Sequence, residues 1–349
     1  MTTIKRRTFN LERVASIKPR TVSVSPAGFV RTECLEQGST LPLVVKPNFE
    51  NLDLAEWAKS QLEFIQAQLL KHGAILFRDF NINSTDKFRR FTQSISRTLL
   101  KYKERSTPRT EVGGEIYTAT EYSADQRIPL HNENAYSFEW PMKVWFLCLQ
   151  PATQGGETPI ADSRKVTRLL DPKITERFAR KKVMYVRNYG EGIDLSWQTA
   201  FQTTDKSAVE DYCRKAFIEF EWREREQLRT RQVRPATAKH PATGETIWFN
   251  QAHLFHVSSL EPSLREALMA LVKEEDLSRN AYYGDGTAIE TSILDEIRGV
   301  YEDVAVRFSW HEGDVLMLDN MLTAHGRTSF SGPRKILVAM ADPFSNQNC

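Results

Sequence analysis

The chain lacks any hydrophobic segment long enough to cross a lipid bilayer. Its longest apolar runs are six residues each: Val144–Leu149, Ala267–Val272 and Ile336–Ala341. A membrane-spanning helix needs about 20 consecutive apolar residues, so we expect no membrane association. The first 20 residues are basic but no hydrophobic signal core follows them, so secretion is not indicated. An organelle transit peptide can start in the same way, although a plain surface arm is the simpler interpretation.

Paired cysteines and a charge excess are also missing. The four cysteines are far apart in the sequence: Cys34, Cys148, Cys213 and Cys349. Because none forms a CxxC pair, we expect neither a disulfide framework nor a zinc knuckle and predict a cytoplasmic protein. The 47 basic and 45 acidic residues give a formal charge of +2, which argues against a nucleic-acid partner. What the chain has is 40% apolar residues, enough for a sizeable core.

Nothing in the sequence divides the chain into several domains. It contains no repeat, no low-complexity tract and no linker rich in Pro, Gly and Ser. We therefore predict a partly ordered N-terminal arm over residues 1–40 and one domain over residues 41–349. Apolar residues at helical spacing predict a helix over Leu52–Lys71 with Asp53 as its cap.

Strand patterns dominate after about residue 115. Short strands are predicted at Ala74–Phe77, Trp145–Leu149, Val304–Trp310, Asp314–Leu318 and Lys335–Met340. Helices are inserted near Val166–Lys181, Ala208–Ile218 and Ser263–Glu275. Many short strands with scattered helices predict a mainly β protein with helical insertions, built as a barrel or jelly roll.

Two histidines and one glutamate are candidate metal ligands. His131 and Glu133 flank Asn132, and His325 follows near the end of the chain. If the triplet lies on a strand, His131 and Glu133 point to the same side and Asn132 points to the other. Two imidazoles and one carboxylate on one face of the ion form the ligand set of mononuclear non-haem Fe(II), with open positions for a cosubstrate and O₂. An isolated HxE triplet also arises by chance at protein surfaces.

Two further segments could complete such a site. Thr158 follows the double glycine Gly155-Gly156, so its hydroxyl could donate to a carboxylate near the metal, although an ordinary hairpin turn explains the pattern equally well. Arg334 lies nine residues after His325. Its planar guanidinium suits a two-pronged contact with the distal carboxylate of a dicarboxylic cosubstrate. A solvated hairpin arginine is the alternative.

Two other clusters are candidate sites. His253 and His256 are three residues apart and could form a competing metal pair, but no carboxylate is near in sequence, so core packing or pocket lining is favoured. The arginine-rich stretch Glu219–Arg234 alternates in charge and is expected to be mostly a solvated face. Docking of an acidic carrier protein, or contact with a substrate carboxylate, is its alternative role.

In order and spacing, these motifs resemble those of the TauD/TfdA family of oxygenases. The chain reads HNE, then GGET, then AHGR followed by GPRKILVAM, and the resemblance extends from about Gly73 to Pro343. It implies a double-stranded β-helix (jelly roll) that depends on Fe(II) and uses 2-oxoglutarate and O₂ as cosubstrates. Within the family, the chain is most similar to the branch of the syringomycin aspartyl hydroxylase and clavaminate synthase-like enzymes.

The resemblance implies a role for individual residues. The catalytic iron ligands would be His131, Glu133 and His325. Thr158 and Arg334 would bind 2-oxoglutarate, with Arg327 in reserve because Arg334 follows its histidine at a shorter interval than in taurine dioxygenase. Asn250 and Gln251 are substrate-binding candidates, since relatives carry a similar WFNQ segment near the active site.

The carboxylate ligand and the branch together indicate the reaction. Many relatives have aspartate where this chain has Glu133, but clavaminate synthase-like members also use glutamate. Related halogenases replace the carboxylate with a small residue and so open a position for chloride; hydroxylation of an unactivated C–H bond is therefore expected here. The substrate is expected to be amino-acid-like, free or presented by a peptidyl carrier protein, in specialised metabolism. Desaturation, cyclisation and a non-catalytic binding jelly roll are the alternatives, and a homo-oligomer is compatible with the sequence.

Overall fold

A computed structural model describes residues 28–35, 40–96, 98–101, 104–190 and 195–345. Most of the predicted arm over residues 1–40 therefore lies outside the described residues, although its Val30–Cys34 segment forms a strand. Across these described ranges, no helix has both the length and the apolar character needed to cross a membrane.

The strands and helices are numbered in chain order. The strands are β1 (Val30–Cys34), β2 (Leu43–Pro47), β3 (Ala74–Phe77), β4 (Glu111–Gly113), β5 (Ile116–Thr118), β6 (Ile128–His131), β7 (Glu139–Gln150), β8 (Gln154–Gly155), β9 (Ile160–Asp162), β10 (Val183–Tyr189), β11 (Glu219–Trp222), β12 (Leu228–Arg234), β13 (Thr237–Lys239), β14 (Thr246–Trp248), β15 (Arg279–Tyr283), β16 (Val315–Asp319), β17 (Thr323–Arg327), β18 (Phe330–Ser331) and β19 (Lys335–Ser345). The α-helices are α1 (Leu54–Ser60), α2 (Leu62–His72), α3 (Thr85–Ile95), α4 (Ser163–Leu169), α5 (Pro172–Lys181), α6 (Trp197–Phe201), α7 (Lys206–Lys215), α8 (Ala252–Phe255), α9 (Pro262–Leu271) and α10 (Thr291–Asp303).

The main sheet has the strand order β1-β2-β3-β16-β7-β19-β5-β4, and all its pairs are antiparallel except β2 with β3. Both faces of this sheet are buried, which the sequence of β7 makes clear. Trp145 and Leu147 pack in one cluster with residues of α1, α2 and α3, whereas Val144 and Phe146 pack in another cluster on the opposite face. Because side chains alternate along a strand, one uninterrupted apolar segment supplies both layers.

The second layer consists of the sheet β6-β17-β9 and the short pair β18-β8. It faces the inner side of the main sheet, since the Phe146 ring on β7 lies 5.0 Å from the His325 ring on β17. Two facing, mostly antiparallel sheets form the predicted jelly roll. The sheet β11-β12-β10-β15 and the hairpin β13-β14 come from the segment between β9 and β16, an insertion beside the open end of the roll.

Several elements differ from the sequence-based predictions. The predicted helix over Leu52–Lys71 is two helices, α1 and α2, interrupted at Gln61, while Asp53 caps α1 through its side chain as expected. The helix predicted near Val166–Lys181 is also divided, because Pro172 fits only the first turn of a helix and Asp171 caps a new one.

The predicted strand at Val304–Trp310 is wrong. Its backbone makes only an isolated bridge between Val306 and Ile160, and the helix α10 before it was not predicted. Phe308 and Trp310 nevertheless point into the core cluster of the roll. The apolar alternation there reflects burial without strand pairing.

The stretch Glu219–Arg234 is not mainly a solvated face. Its two strands belong to the inserted sheet, and Arg229 and Arg234 are buried. Arg229 donates to the side chains of Asn188 and Asp276, at 2.8 and 3.1 Å. The segment with alternating charge, which predicted a solvated face, therefore contains a strand with one buried face.

Candidate metal centre and cosubstrate site

The three candidate ligands meet at the end of the second layer. His131 is the last residue of β6 and lies directly opposite His325 of β17 in the antiparallel register, with ring centroids 4.7 Å apart. Nε2 of His325 is 3.5 Å from Oε2 of Glu133. One ligand atom from each of the three residues lies within 4.8 Å of the others. In the described part of the chain, no other group of three His, Cys, Asp or Glu side chains has this spacing.

Glu133 reaches the site from a turn and not from a strand. The predicted strand ends at His131, and the backbone N–H of Glu133 donates to Oδ1 of Asn320 at 2.7 Å. Nδ2 of Asn320 donates back to the Glu133 carbonyl at 2.9 Å. Asn132 points away from the ligands, as predicted, and donates to Ser163 and to the Asn320 carbonyl. A buried asparagine from the turn before β17 therefore positions the carboxylate.

The protonation of His131 suits a metal ligand. Its Nδ1 lies 2.8 Å from the Pro129 carbonyl, which can only accept, so Nδ1 carries the proton and Nε2 keeps its lone pair. Burial, with a smaller contribution from His325, lowers the pKa of His131 to about 3. The imidazole is therefore neutral at physiological pH, the form that binds metal.

Arg109 forms a buried ion pair with the candidate carboxylate ligand. Its Nη2 donates to Oε2 of Glu133 at 2.9 Å, and both side chains are about 4% exposed. Burial alone would raise the pKa of Glu133, but the charge of Arg109 and the contact with His325 outweigh it and hold that pKa far below its usual range. Two neutral imidazoles and one ionised carboxylate fit the donor set for Fe(II).

A cavity lies beside the ligands, between the two layers. We call it the inner cavity; it is lined by Arg109, Ala119, Thr120, Ile128, His131, Phe146, Thr158, His325, Gly326, Arg327, Arg334 and Ile336. Thr158 is buried, and its hydroxyl oxygen accepts from Nε1 of Trp310 at 3.2 Å. Because that bond uses an oxygen lone pair, the hydroxyl proton remains for donation to a bound carboxylate.

Arg334 presents its guanidinium to the same cavity. Its Nε donates to the Gly156 carbonyl at 2.9 Å, while neither terminal nitrogen has a hydrogen-bond partner within the described ranges. Burial lowers the pKa of Arg334 to about 10, so it stays charged at neutral pH. A Cβ atom at Gly156, where φ is +72°, would lie 3.0 Å from Cδ and Nε of Arg334. The double glycine therefore makes room for this arginine.

Arg327 also lines the inner cavity, but its terminal nitrogens are occupied. Nη1 donates to the carbonyls of Thr120 and Tyr122, both at 3.2 Å, and Nη2 donates to those of Ser123 and Gln126, both at 2.7 Å. Four backbone acceptors fix the loop that precedes β6. The geometry thus favours Arg334 over Arg327 as the residue that holds a cosubstrate carboxylate.

A larger cavity also borders His131. We call it the outer cavity; it is lined by Ser106, Thr107, Arg109, Thr120, Tyr122, Gln126, Ile128, Pro129, His131, Glu133, Gln251, Leu254, Phe255, Ser259, Leu260 and Arg279. It shares Arg109, Thr120, Ile128 and His131 with the inner cavity. The candidate metal centre therefore lies between two chambers.

The two predicted substrate residues are placed differently. Gln251 lines the outer cavity and donates to the Asn132 carbonyl at 2.6 Å. Asn250 is fully buried and bonded to the backbone of Ala236 and Ala252. His253 packs on Tyr301 and contacts the Leu130 carbonyl at 2.8 Å, a core position and not a ligand position.

Sequence reasoning missed three residues of this region. Arg109 and Arg279 stand in no motif and are far from the triplet in sequence, so no local signal could find them. Asn320, by contrast, sits in the Asp-Asn turn between two buried strands, where a turn asparagine could have been suspected.

Solved structures share this architecture. The PvcB protein from Pseudomonas aeruginosa aligns with a TM-score of 0.55 over 91% of this chain and 92% of its own, at 16% identity. AAD-2 in complex with Mn(II) and N-oxalylglycine aligns with a TM-score of 0.51 over 89% and 96%, at 12% identity. Such low identities show the fold alone. Fold and site together define the class of jelly rolls with a centre of two histidines and one carboxylate.

The family model for the taurine catabolism dioxygenase TauD, TfdA family matches residues 39–340, and the chain belongs to this family. It is 44% identical over 275 residues to the dapdiamide synthesis protein DdaC of Enterobacter agglomerans, covering 79% of this chain and 84% of that protein. It is 31% identical over 292 residues to a clavaminate synthase-like protein of Arabidopsis thaliana, covering 81% and 85%.

The resemblance inferred from the motifs is thereby confirmed. The chain is a non-haem dioxygenase that depends on Fe(II) and uses 2-oxoglutarate and O₂ as cosubstrates. Its substrate is a small molecule.

Proposed function

We propose that this enzyme hydroxylates an unactivated C–H bond of an amino-acid-like substrate, with His131, Glu133 and His325 as its iron ligands. The observation that carries the proposal is the convergence of these three ligand atoms within 4.8 Å, between two cavities. The name of its relative DdaC places that protein in dapdiamide synthesis. This supports a role for the present chain in specialised metabolism, of the kind that includes antibiotic biosynthesis.

Several groups around the candidate metal centre have a defined part in the proposed reaction. When bound, iron together with 2-oxoglutarate and O₂ supplies the oxidising chemistry that cleaves a C–H bond. Arg334 and Thr158 bind the distal carboxylate of 2-oxoglutarate by charge-assisted and hydroxyl hydrogen bonds. The Pro129 carbonyl fixes the tautomer of His131, and Arg109 keeps Glu133 ionised and oriented.

Glu133 favours hydroxylation over halogenation. As an iron ligand, its carboxylate would occupy the position that a halogenase leaves to chloride, and its buried pairing with Arg109 at 2.9 Å keeps it ionised. Desaturation and cyclisation begin from the same C–H cleavage. The product, and not the ligand set, distinguishes them from hydroxylation.

The test is a turnover screen with Fe(II), 2-oxoglutarate and O₂, using amino acids that are free or loaded on a peptidyl carrier protein. We expect one class of substrate to stimulate succinate formation and to gain one oxygen atom, labelled when ¹⁸O₂ is supplied. The His325→Ala variant is the inactive control. If the iron-loaded wild type forms no succinate under any condition, the result would instead indicate a non-catalytic binding protein. A product lighter by two hydrogens would move the reaction to desaturation or cyclisation.

A further inference from the structure

The loop before β4 contributes to both cavities but contains no helix or strand. We call residues 104–109 the Arg109 loop. Its Ser106, Thr107 and Arg109 line the outer cavity. Arg109 also lines the inner cavity and pairs with Glu133. Because no regular backbone ladder holds this loop, the position of Arg109 depends on the contacts that anchor it.

Glu104, the first residue of the Arg109 loop, is almost fully buried, with 1% of its surface exposed. The hydroxyl of Tyr212 on α7 donates to Oε2 of Glu104 at 3.0 Å. Nε2 of Gln232 on β12 donates to Oε1 at 2.7 Å. Each oxygen of this buried carboxylate therefore accepts a hydrogen bond from the inserted segment.

Two buried arginines of the inserted sheet act on the same carboxylate. Burial raises the pKa of Glu104, and the charges of Arg187 on β10 and Arg234 on β12 oppose that rise. These arginines are themselves 1% and 4% exposed. A carboxylate is costly to bury unless charges and hydrogen bonds compensate it. The inserted sheet thus provides a pocket that is matched to this one side chain.

Backbone contacts continue the connection toward the metal centre. The Glu104 carbonyl accepts from the hydroxyl of Tyr136 at 2.8 Å, and Tyr136 belongs to the turn that holds the carboxylate ligand. The Arg105 carbonyl accepts from Nη2 of Arg187 at 2.9 Å. Nη1 of Arg105 in turn donates to the Arg109 carbonyl at 3.1 Å. A continuous set of hydrogen bonds therefore links the inserted sheet to Arg109.

We propose that Glu104 is a positioning residue that fixes Arg109 against Glu133 and so connects the inserted sheet to the metal centre. The inference rests on the proposed function, in which Glu133 is an iron ligand. Glu104 lines neither cavity and acts only through the loop that it anchors. Without its carboxylate, the start of the Arg109 loop is released and the ligand loses part of its support.

The experiment is a double-mutant cycle on Fe(II) affinity. The full chain is titrated anaerobically with Fe(II) at saturating 2-oxoglutarate, and the visible charge-transfer band is followed. Glu104→Met should weaken Fe(II) binding about three- to tenfold, a part of the 10- to 100-fold effect typical of lost support for a metal ligand. In an Arg109→Met background the same substitution should have almost no further effect, because its route to the metal is already removed.

Milder variants carry the same test if Glu104→Met does not fold. Glu104→Gln keeps the shape and one acceptor oxygen, so it should recover part of the affinity. Tyr212→Phe should lose less than Glu104→Met, since one donor to the carboxylate remains. Arg229→Met is the matched control, because Arg229 is a buried charge of the same sheet that bonds instead to Asn188 and Asp276. It should lower the urea midpoint of unfolding but leave Fe(II) affinity unchanged.

Three results would overturn the inference. The first is an unchanged Fe(II) affinity in the folded variants at Glu104 and Tyr212. The second is an equal loss with and without Arg109, which would mean that Glu104 acts by another route. The third is an equal loss in Arg229→Met, which would make the effect a general consequence of destabilising the inserted sheet.

A His325→Ala titration separates failure of this inference from failure of the proposed function. If His325→Ala binds Fe(II) as tightly as the wild type, the ligand assignment itself is wrong. If His325→Ala loses Fe(II) while the variants at Glu104 keep the wild-type affinity, only the positioning role of Glu104 is refuted.

Discussion

The inner and outer cavities meet at His131 but are built in different ways. The inner cavity is formed by strands of the jelly roll and the residues beside them, including His325 on β17 and Arg334 just before β19. The outer cavity takes much of its wall from α8, from β15 and from the loop before β6. The inner cavity is thus built mainly by the roll, and the outer cavity is built largely by the added segments.

The two cavities also differ in how firmly their polar groups are held. In the inner cavity, Arg327 makes four bonds to backbone carbonyls. In the outer cavity, the contacts of Arg279 include the side chains of Tyr122 and Phe255. Backbone anchors change little with sequence, whereas side-chain anchors change with single substitutions. We therefore expect substitutions in the inner cavity to affect catalysis and those in the outer cavity to affect selectivity.

The largest effect is expected from removing an iron ligand. His131→Ala and His325→Ala should each abolish the weak visible charge-transfer band of the anaerobic Fe(II)–2-oxoglutarate complex, because a binding face of three ligands loses one. His253→Gln is the control, since His253 is a buried histidine whose ring contacts the Leu130 carbonyl and the Tyr301 ring. A band that survives both alanine substitutions refutes the ligand assignment.

The second-largest effect is expected from replacing Arg109, which supports the ligand Glu133. Arg109→Met should weaken Fe(II) affinity about 10- to 100-fold, the usual effect of losing a group that orients a metal ligand. It should also lower the free energy of unfolding of the iron-free protein by about 3 kcal/mol or more, because the buried Glu133 loses its partner. Fe(II) titration and urea unfolding measure the two quantities. Arg109→Lys, which keeps the charge, should recover part of both, and an unchanged Fe(II) affinity in Arg109→Met would contradict the role.

Arg334→Ala tests the cosubstrate side of the centre. The concentration of 2-oxoglutarate that gives half-maximal succinate formation should rise about tenfold or more, since a charge-assisted contact is lost. The Fe(II) requirement should change far less. Arg327→Lys is the comparison, because Arg327 binds backbone carbonyls and its replacement should mainly lower thermal stability. If Arg334→Ala leaves the 2-oxoglutarate dependence unchanged, the role moves to Arg327.

The smallest effect is a pH dependence of stability that arises from the buried core histidine His253. Burial, which is only partly offset by the hydrogen bond to the Leu130 carbonyl, lowers the pKa of His253 from 6.5 to about 4. Between these values the unfolded chain binds a proton that the folded chain does not, so stability falls as the pH falls. His253→Gln should lose less stability than the wild type between pH 7 and pH 5, by roughly 2 kcal/mol. Parallel urea titrations of the iron-free proteins give this difference, and equal pH slopes would contradict it.

The inner cavity could be predicted from sequence because its residues lie at strand ends within short motifs. The HNE triplet, the double glycine and the AHGR segment are each local in sequence, and β6 and β17 bring them together. One physical premise was wrong: Glu133 is placed by a turn and Asn320, and not by strand alternation. The contact between Glu133 and Asn320 joins residues 187 positions apart, and the sequence gives no signal that pairs these two residues.

The outer cavity could not be predicted because its wall depends on contacts between segments that are distant in the sequence. Tyr122, Leu254 and Arg279 come from three separate segments, and only the packing of the inserted sheet brings them to one wall. The prediction at Val304–Trp310 failed in a related way, because burial alone produces the alternation that usually indicates a strand. Sequence patterns indicate which side chains are buried. Which residues far apart in the chain contact one another depends on the assembled fold.

Arg109 contacts Glu133 and lines both cavities, so one side chain touches the surroundings of the metal, the cosubstrate and the substrate. Any shift that one occupant imposes on this guanidinium changes the free energy with which the other two bind. Thermodynamic linkage makes such effects equal in both directions. The factor by which bound substrate raises the affinity for 2-oxoglutarate equals the factor by which bound 2-oxoglutarate raises the affinity for substrate. A shared wall of this kind therefore couples the binding of 2-oxoglutarate and of substrate to the same extent, whichever of the two binds first.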